Sequence, residues 1–129
     1  MNRQIKFRGQ VTDTKKWVFG YYFNHAGIDR IFVPEKGSFT VIPETVGQFT
    51  GLTDKNGTEI YEGDKVIASM KYKGVTLMPF RAFIFYNENV ACWQIKYETT
   101  VNNFATDFIY SYDIEIVGNI HQESEVTNG

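Results

Sequence analysis

The sequence predicts a mostly β fold with minor α, an antiparallel meander preceded by an N-terminal β-hairpin and accompanied by one short helix. Three observations lead there. Two Trp, eight Tyr and eleven Phe stand among 129 residues, most of them in short β-branched or alternating runs of the kind that fill a sheet's inner face. Several of those runs alternate with the period of two that a half-buried strand requires. Groups of Gly, Asn and Asp, which close tight turns, separate them.

Residues 4 to 23 read as the hairpin, with Ile5, Phe7 and Val11 on one side, Trp17 to Phe23 on the other and the polar Thr12 to Lys16 between them. A short apolar run at Ile31 to Val33 stops at Pro34, which lacks the donor a central strand needs. Ser38 to Ile42 reads as a further strand ended by Pro43. Gly47, Gly51 and Asp54-Lys55-Asn56-Gly57 then mark turns, the Asn-Gly pair being a strong hairpin signal. The meander follows as Lys65 to Tyr72, Arg81 to Tyr86 and Val90 to Tyr97, joined near Lys73-Gly74 and at Asn87-Glu88-Asn89. Between Glu98 and Tyr112, Phe104, Phe108 and Tyr112 recur every four residues and predict the short helix. Asp113 to Ile120 returns to strand character. Residues 1–121 are expected to form one domain, and 122–129, almost without apolar content, a mobile polar tail.

A chain of this length can bury a core without disulfides or metal. Its 43% hydrophobic and 22% charged residues suggest neither disorder nor a membrane span. A single cysteine, Cys92, and the lack of a charged-then-apolar opening point to the reducing cytoplasm. The longest apolar runs are far short of the ~20 residues of a spanning helix. Net charge is −2, and it is unevenly spread. Residues 1–50 carry seven Lys or Arg against four acids, and residues 51–129 six against eleven. The basic group of Arg3, Lys6, Arg8, Lys15 and Lys16 reads as a solvated strand edge whose charges discourage edge pairing. Tight non-specific nucleic-acid binding is not expected, because counterion release needs many phosphate contacts.

No catalytic, cofactor-binding or metal-binding residue is assigned. His25 and His121 lie at opposite ends of a chain with one cysteine, and no zinc spacing occurs. Cys92 beside Trp93 reads as a small apolar core residue rather than a nucleophile. Aligning Gly57 with the glycine of a calcium loop puts Leu52 and Gly63 at ligand positions, so that match fails. Glu59, Glu62 and Asp64 form an acidic group that reads as a polar turn before a strand, with acid–base chemistry as the competing reading. Asn56-Gly57-Thr58 fits a glycosylation sequon that has no meaning without secretion. Phosphate-binding glycine loops and nucleophile elbows are absent from the sequence.

The stretch from Pro43 to Leu52, followed by Asp54-Lys55-Asn56-Gly57 and Glu59 to Val66, resembles the signature of the YopX family. The opening Ile5-Lys6-Phe7-Arg8-Gly9, the run Trp17 to Tyr21 and the late Ile116 to His121 match it in order, so the resemblance spans nearly the whole chain. The tail departs, with Gln122-Glu123-Ser124-Glu125 where the family often continues with an Asn-Pro-Glu-Leu-like ending. The resemblance implies a phage or prophage accessory protein of undetermined biochemical role that forms oligomers, and carries over no catalytic residue. Within the signature, Tyr61 to Val66 resembles the entry into the first strand of an SH3-like small barrel.

Three functions compete. A non-catalytic, homo-oligomeric module that binds a host or phage protein is favoured by the surplus of rings, which supply interface anchors. A nucleic-acid-binding small barrel is the alternative, with rings as stacking platforms. It requires several Lys or Arg alternating with rings on one strand face, and along the sequence only Arg8 beside Phe7 approaches that. An enzyme built on Glu59, Glu62 and Asp64 ranks last, since nothing pairs those carboxylates with a nucleophile or metal.

Overall fold

The computed structural model describes residues 4–73, 75–76, 79–98, 104–109 and 112–121. The chain divides into two compact units, with the boundary between Gly51 and Leu52.

The first unit is an antiparallel sheet. Its strands are β1 (Phe7–Gln10), β2 (Trp17–His25), β3 (Ile28–Val33), β4 (Gly37–Thr40) and β5 (Gly47–Thr53), in the spatial order β4-β3-β2-β1-β5. The expected N-terminal hairpin is present, with Phe7 opposite Gly20 and Gln10 opposite Trp17. Strands β2 and β3 are joined by Ala26-Gly27, both at positive φ (53° and 80°), the backbone that a two-residue hairpin turn requires. One face of the sheet forms the core, where Ile31 and Val41 are buried. Gly20 makes that packing close. A Cβ there would stand 2.1 Å from the carbonyl oxygen of Phe32, so no larger residue fits without parting β2 from β3. A 3-10 turn at Pro43–Thr45 follows β4 and a bridge between Val11 and Val41. It is tied to β1 by the Gln10 N–H, which donates to the Thr45 hydroxyl at 2.9 Å.

The second unit opens with the Asp54–Thr58 turn and continues through β6 (Glu59–Tyr61), β7 (Asp64–Ser69), a small ribbon of β8 (Lys71–Tyr72) and β9 (Val75–Thr76), then β10 (Phe80–Asn87), β11 (Cys92–Glu98), β12 (Phe104–Phe108) and β13 (Asp113–Asn119). The main sheet has the order β12-β11-β10-β7-β13. Strands β7, β10 and β11 are the expected meander, in antiparallel register. Their even-numbered core positions, Val66, Ala68, Ala82 and Ile84, meet Ile60, Ile95, Ile109 and Ile114 in one buried cluster. A bulge between Ile116 and Gly118 bends β13 where it pairs with β7.

Two expectations are corrected. The short helix within Glu98 to Tyr112 is replaced by β12, which pairs with β11 from Glu98 opposite Phe104 to Gln94 opposite Phe108. A spacing of four returns to the same side of a strand as well as of a helix, and the available edge of β11 decides between them. The small barrel is also not closed. The five-stranded sheet ends at β12 on one edge and β13 on the other, so the SH3-like entry at Tyr61 to Val66 leads into an open sheet. The expected tail, 122–129, lies outside the described residues.

Candidate binding face

Strand β2 is nine residues long and alternates, so Phe19, Tyr21 and Phe23 project to the side opposite the core. The β2–β3 register adds to them. Tyr21 stands opposite Phe32, and Phe23 opposite Arg30. The four rings remain open to solvent, with exposures of 46% (Phe19), 59% (Tyr21), 38% (Phe23) and 40% (Phe32). A covered ring buries roughly 150–250 Å², so these leave on the order of 400 Å² of apolar surface, the size at which a patch marks a contact site. Ile28, also exposed, extends the patch beside His25.

Cations border the rings. Arg8 stands opposite Phe19 on β1, and its guanidinium lies 4.7 Å from the Trp17 ring. Lys6, two residues earlier and on the same side, sits 5.3 Å over the Phe49 ring. Phe7, next to Arg8 in sequence, faces the other way and meets Tyr22 at 5.6 Å. A shallow groove of about 180 Å³ lies among Lys6, Phe19, Tyr21 and Pro34. The Arg30 side chain makes no ion pair or hydrogen bond among the described residues.

The acids of the first unit are elsewhere. Asp13 and Glu35 occupy turns, and Glu44 the 3-10 turn. Asp29 alternates to the opposite face from Arg30, where the Asn24 amide donates to its carboxylate at 2.7 Å and the Tyr22 hydroxyl at 2.8 Å. Those hydrogen bonds hold the Asp29 carboxyl below its ordinary value. Of the basic group read from the sequence, Lys15 lies in the β1–β2 turn, where its ammonium donates to the Thr12 carbonyl. Arg3 lies outside the described residues. The expected solvated strand edge is not what forms, because β1 lies between β2 and β5 and Arg8 on it is buried. Arg30, from a different strand, is the cation that joins Lys6 beside the rings.

The acidic signature residues hold turns. Asp54, largely buried, accepts the backbone N–H groups of Asn56 (2.9 Å), Thr58 (3.0 Å) and Ile116 (3.1 Å). Burial pushes its carboxyl up, but these bonds and the Lys55 charge outweigh burial and leave it below the ordinary value. Asp64, also buried, accepts the Tyr61 N–H at 2.8 Å, and Glu59 accepts the Tyr61 hydroxyl at 3.1 Å. Cys92 is half-buried on β11, with its thiol donating to the Trp93 carbonyl. His25 belongs to the first unit and His121 to the second. Among the described residues no three His, Cys, Asp or Glu side chains are grouped to hold a metal ion, and no helix is long and apolar enough to cross a membrane.

Sequence reading missed the ring face. Its alternating half, Phe19-Gly20-Tyr21-Tyr22-Phe23, was visible, but Phe32 and Arg30 join it only through the β2–β3 register.

A family model described as YopX protein matches residues 6–127. No curated protein matches the chain.

Proposed function

Because this chain belongs to the YopX family, we propose that it is a phage or prophage accessory protein acting in the host cytoplasm as a non-catalytic, self-associating binding module. Its working surface is the face of Phe19, Tyr21, Phe23 and Phe32. The exposure of these four rings on one side of β2 and β3 carries the reading, since a sheet face without a partner usually turns polar side chains to water. The bonds by which Asp54 and Asp64 hold turns, and by which Glu59 accepts the Tyr61 hydroxyl along β6, support a non-catalytic role. Self-association is supported by a second set of exposed apolar residues on the other unit, Tyr86 and Val90 around the β10–β11 turn and Val117 on β13.

A photo-crosslinking amino acid placed at Tyr21, with Lys16 as an exposed control position, tests the working surface in cells that carry the protein. A discrete cross-linked species from position 21, absent from position 16, is expected. Identical background from both positions would overturn the reading. Light scattering tests the other half, where a single 14.9 kDa species at every concentration would count against self-association.

A further inference from the structure

The geometry points to single-stranded nucleic acid as the occupant of the ring face, with bases stacking on Phe19, Tyr21, Phe23 and Phe32 and phosphates meeting Lys6 and Arg30. This inference rests on the reading of that face as the binding surface.

Three features of the face select this occupant. The first is charge. Lys6 and Arg30 share the side of the sheet that carries the rings, with the buried Arg8 behind them, while Asp13, Asp29, Glu35 and Glu44 are all in turns or on the opposite face. The acidic net charge of the chain is thus no guide to this surface. A second copy docking through the same face would bring cation against cation with no acid between them. The partner should be a polyanion.

The second is the arrangement of the rings. Neighbours two apart along β2 are separated by roughly 7 Å and neighbours across β2 and β3 by roughly 5 Å. That makes a two-strand platform on which successive unstacked bases can each find an aromatic surface. Stacking of this kind tolerates any base and contributes about 1–3 kcal/mol per base. A duplex cannot use it, because its bases are already stacked inside. An acidic peptide would satisfy the cations but offers no regular series of flat groups to the rings.

The third is the groove of about 180 Å³ that has Phe19 and Tyr21 among its walls and Lys6 at its side. It places a cation beside the gap between two rings, as a base with its own phosphate requires. Arg30, whose side chain makes no ion pair or hydrogen bond among the described residues, stands opposite Phe23 and repeats that pairing of ring and cation further along the strand.

Few phosphates are engaged, so one copy should bind weakly, with a Kd on the order of 10 µM and a salt slope of about −1.4. Self-association would raise the affinity for a long strand by presenting several faces at once. The sequence argues against tight non-specific binding of any nucleic acid, and a Kd of this order for one copy stays within that expectation.

The test is fluorescence anisotropy of the full chain with a labelled oligo(dT) of about 12 nucleotides, the corresponding duplex and a polyglutamate peptide, at roughly 50 and 150 mM salt. Oligo(dT) should bind at least ~10-fold more tightly than duplex or peptide. The Tyr21→Ser/Phe32→Ser double variant should lose ~10-fold or more, as loss of one or two stacked bases demands. Arg30→Ala should weaken binding several-fold and lower the salt slope by about 0.7. Circular dichroism of each variant establishes that it folds, and exposed positions make that the expected result. No binding of oligo(dT) at 50 mM salt, or binding that the ring variants leave unchanged, overturns the inference. If oligo(dT) fails while Tyr21 cross-links to a protein in cells, the binding face stands and only its nucleic-acid occupant falls. If both fail, the reading of the face falls with it.

Discussion

Replacing Asp54 with Ala takes one carboxylate away from three backbone N–H groups, two in its own turn and one, that of Ile116, on a strand 62 residues further along the chain. The side chain is only 7% exposed. Hydrogen bonds to a charged acceptor contribute about 1.5–3 kcal/mol each. The Asn56 and Thr58 amides sit in a surface turn and can turn to water, so their loss counts for less than that of the Ile116 amide in β13. A loss of about 3 kcal/mol follows, or about 10 °C in Tm. Asp54→Asn should lose about half as much. Its carbonyl still serves Asn56 and Thr58, but its amide then faces the Ile116 N–H, donor against donor. The contribution of Asp54 has a defined pH dependence. Its native carboxyl titrates below its unfolded value, so the stability it supplies is fully present above about pH 4 and is lost as pH falls through the native pKa. Thermal and urea unfolding of wild type, Asp54→Ala and Asp54→Asn at pH 7 and pH 3 measure all of this. A Tm for Asp54→Ala within about 2 °C of wild type at pH 7, or an unchanged gap at pH 3, would refute the turn-anchoring role.

Gly20→Ala should abolish soluble folded protein, because its Cβ would meet the Phe32 carbonyl at 2.1 Å; a folded variant by circular dichroism would contradict the close β2–β3 approach. Tyr112 should ionise late, its pKa pushed up to about 12 by burial and by its 2.7 Å hydrogen bond to Asp107. Its hydroxyl therefore supports the fold fully below about pH 10, and that support is lost as pH rises through the native pKa. Ultraviolet titration checks it, since Tyr112→Phe should remove one late-ionising phenol from the curve. The Tyr21→Ser/Phe32→Ser variant, though it removes two large rings, should change Tm by less than about 3 °C, because both are on the exposed side; a large loss would mean the rings belong to a core.

What was legible in the sequence was local. The β1–β2 hairpin follows from the alternation at Phe7 to Phe23, and β7, β10 and β11 follow from runs bounded by Gly63, Lys73 and Asn87-Glu88-Asn89. Asp54-Lys55-Asn56-Gly57 was legible as a turn, but its anchoring of Ile116 was not, because no local pattern marks a bond across 62 residues. Strand β12 was misread as a helix because pairing with β11, not its own period, settles its conformation. The binding face was hidden for the same reason. A search along one strand finds Arg8 beside Phe7, two residues that point to opposite sides, whereas the true neighbours of Phe19, Tyr21 and Phe23 come from β1 and β3 through register.

Hydroxyl-radical footprinting of Phe19, Tyr21, Phe23 and Phe32, read by mass spectrometry, tests the central claim most directly. In dilute purified protein the four rings should oxidise readily while Ile31 and Val41 stay protected, and in cells that carry the protein the rings should become protected too. Rings already protected in the purified protein, or equally reactive in both settings, would contradict the assignment of this face as the working surface.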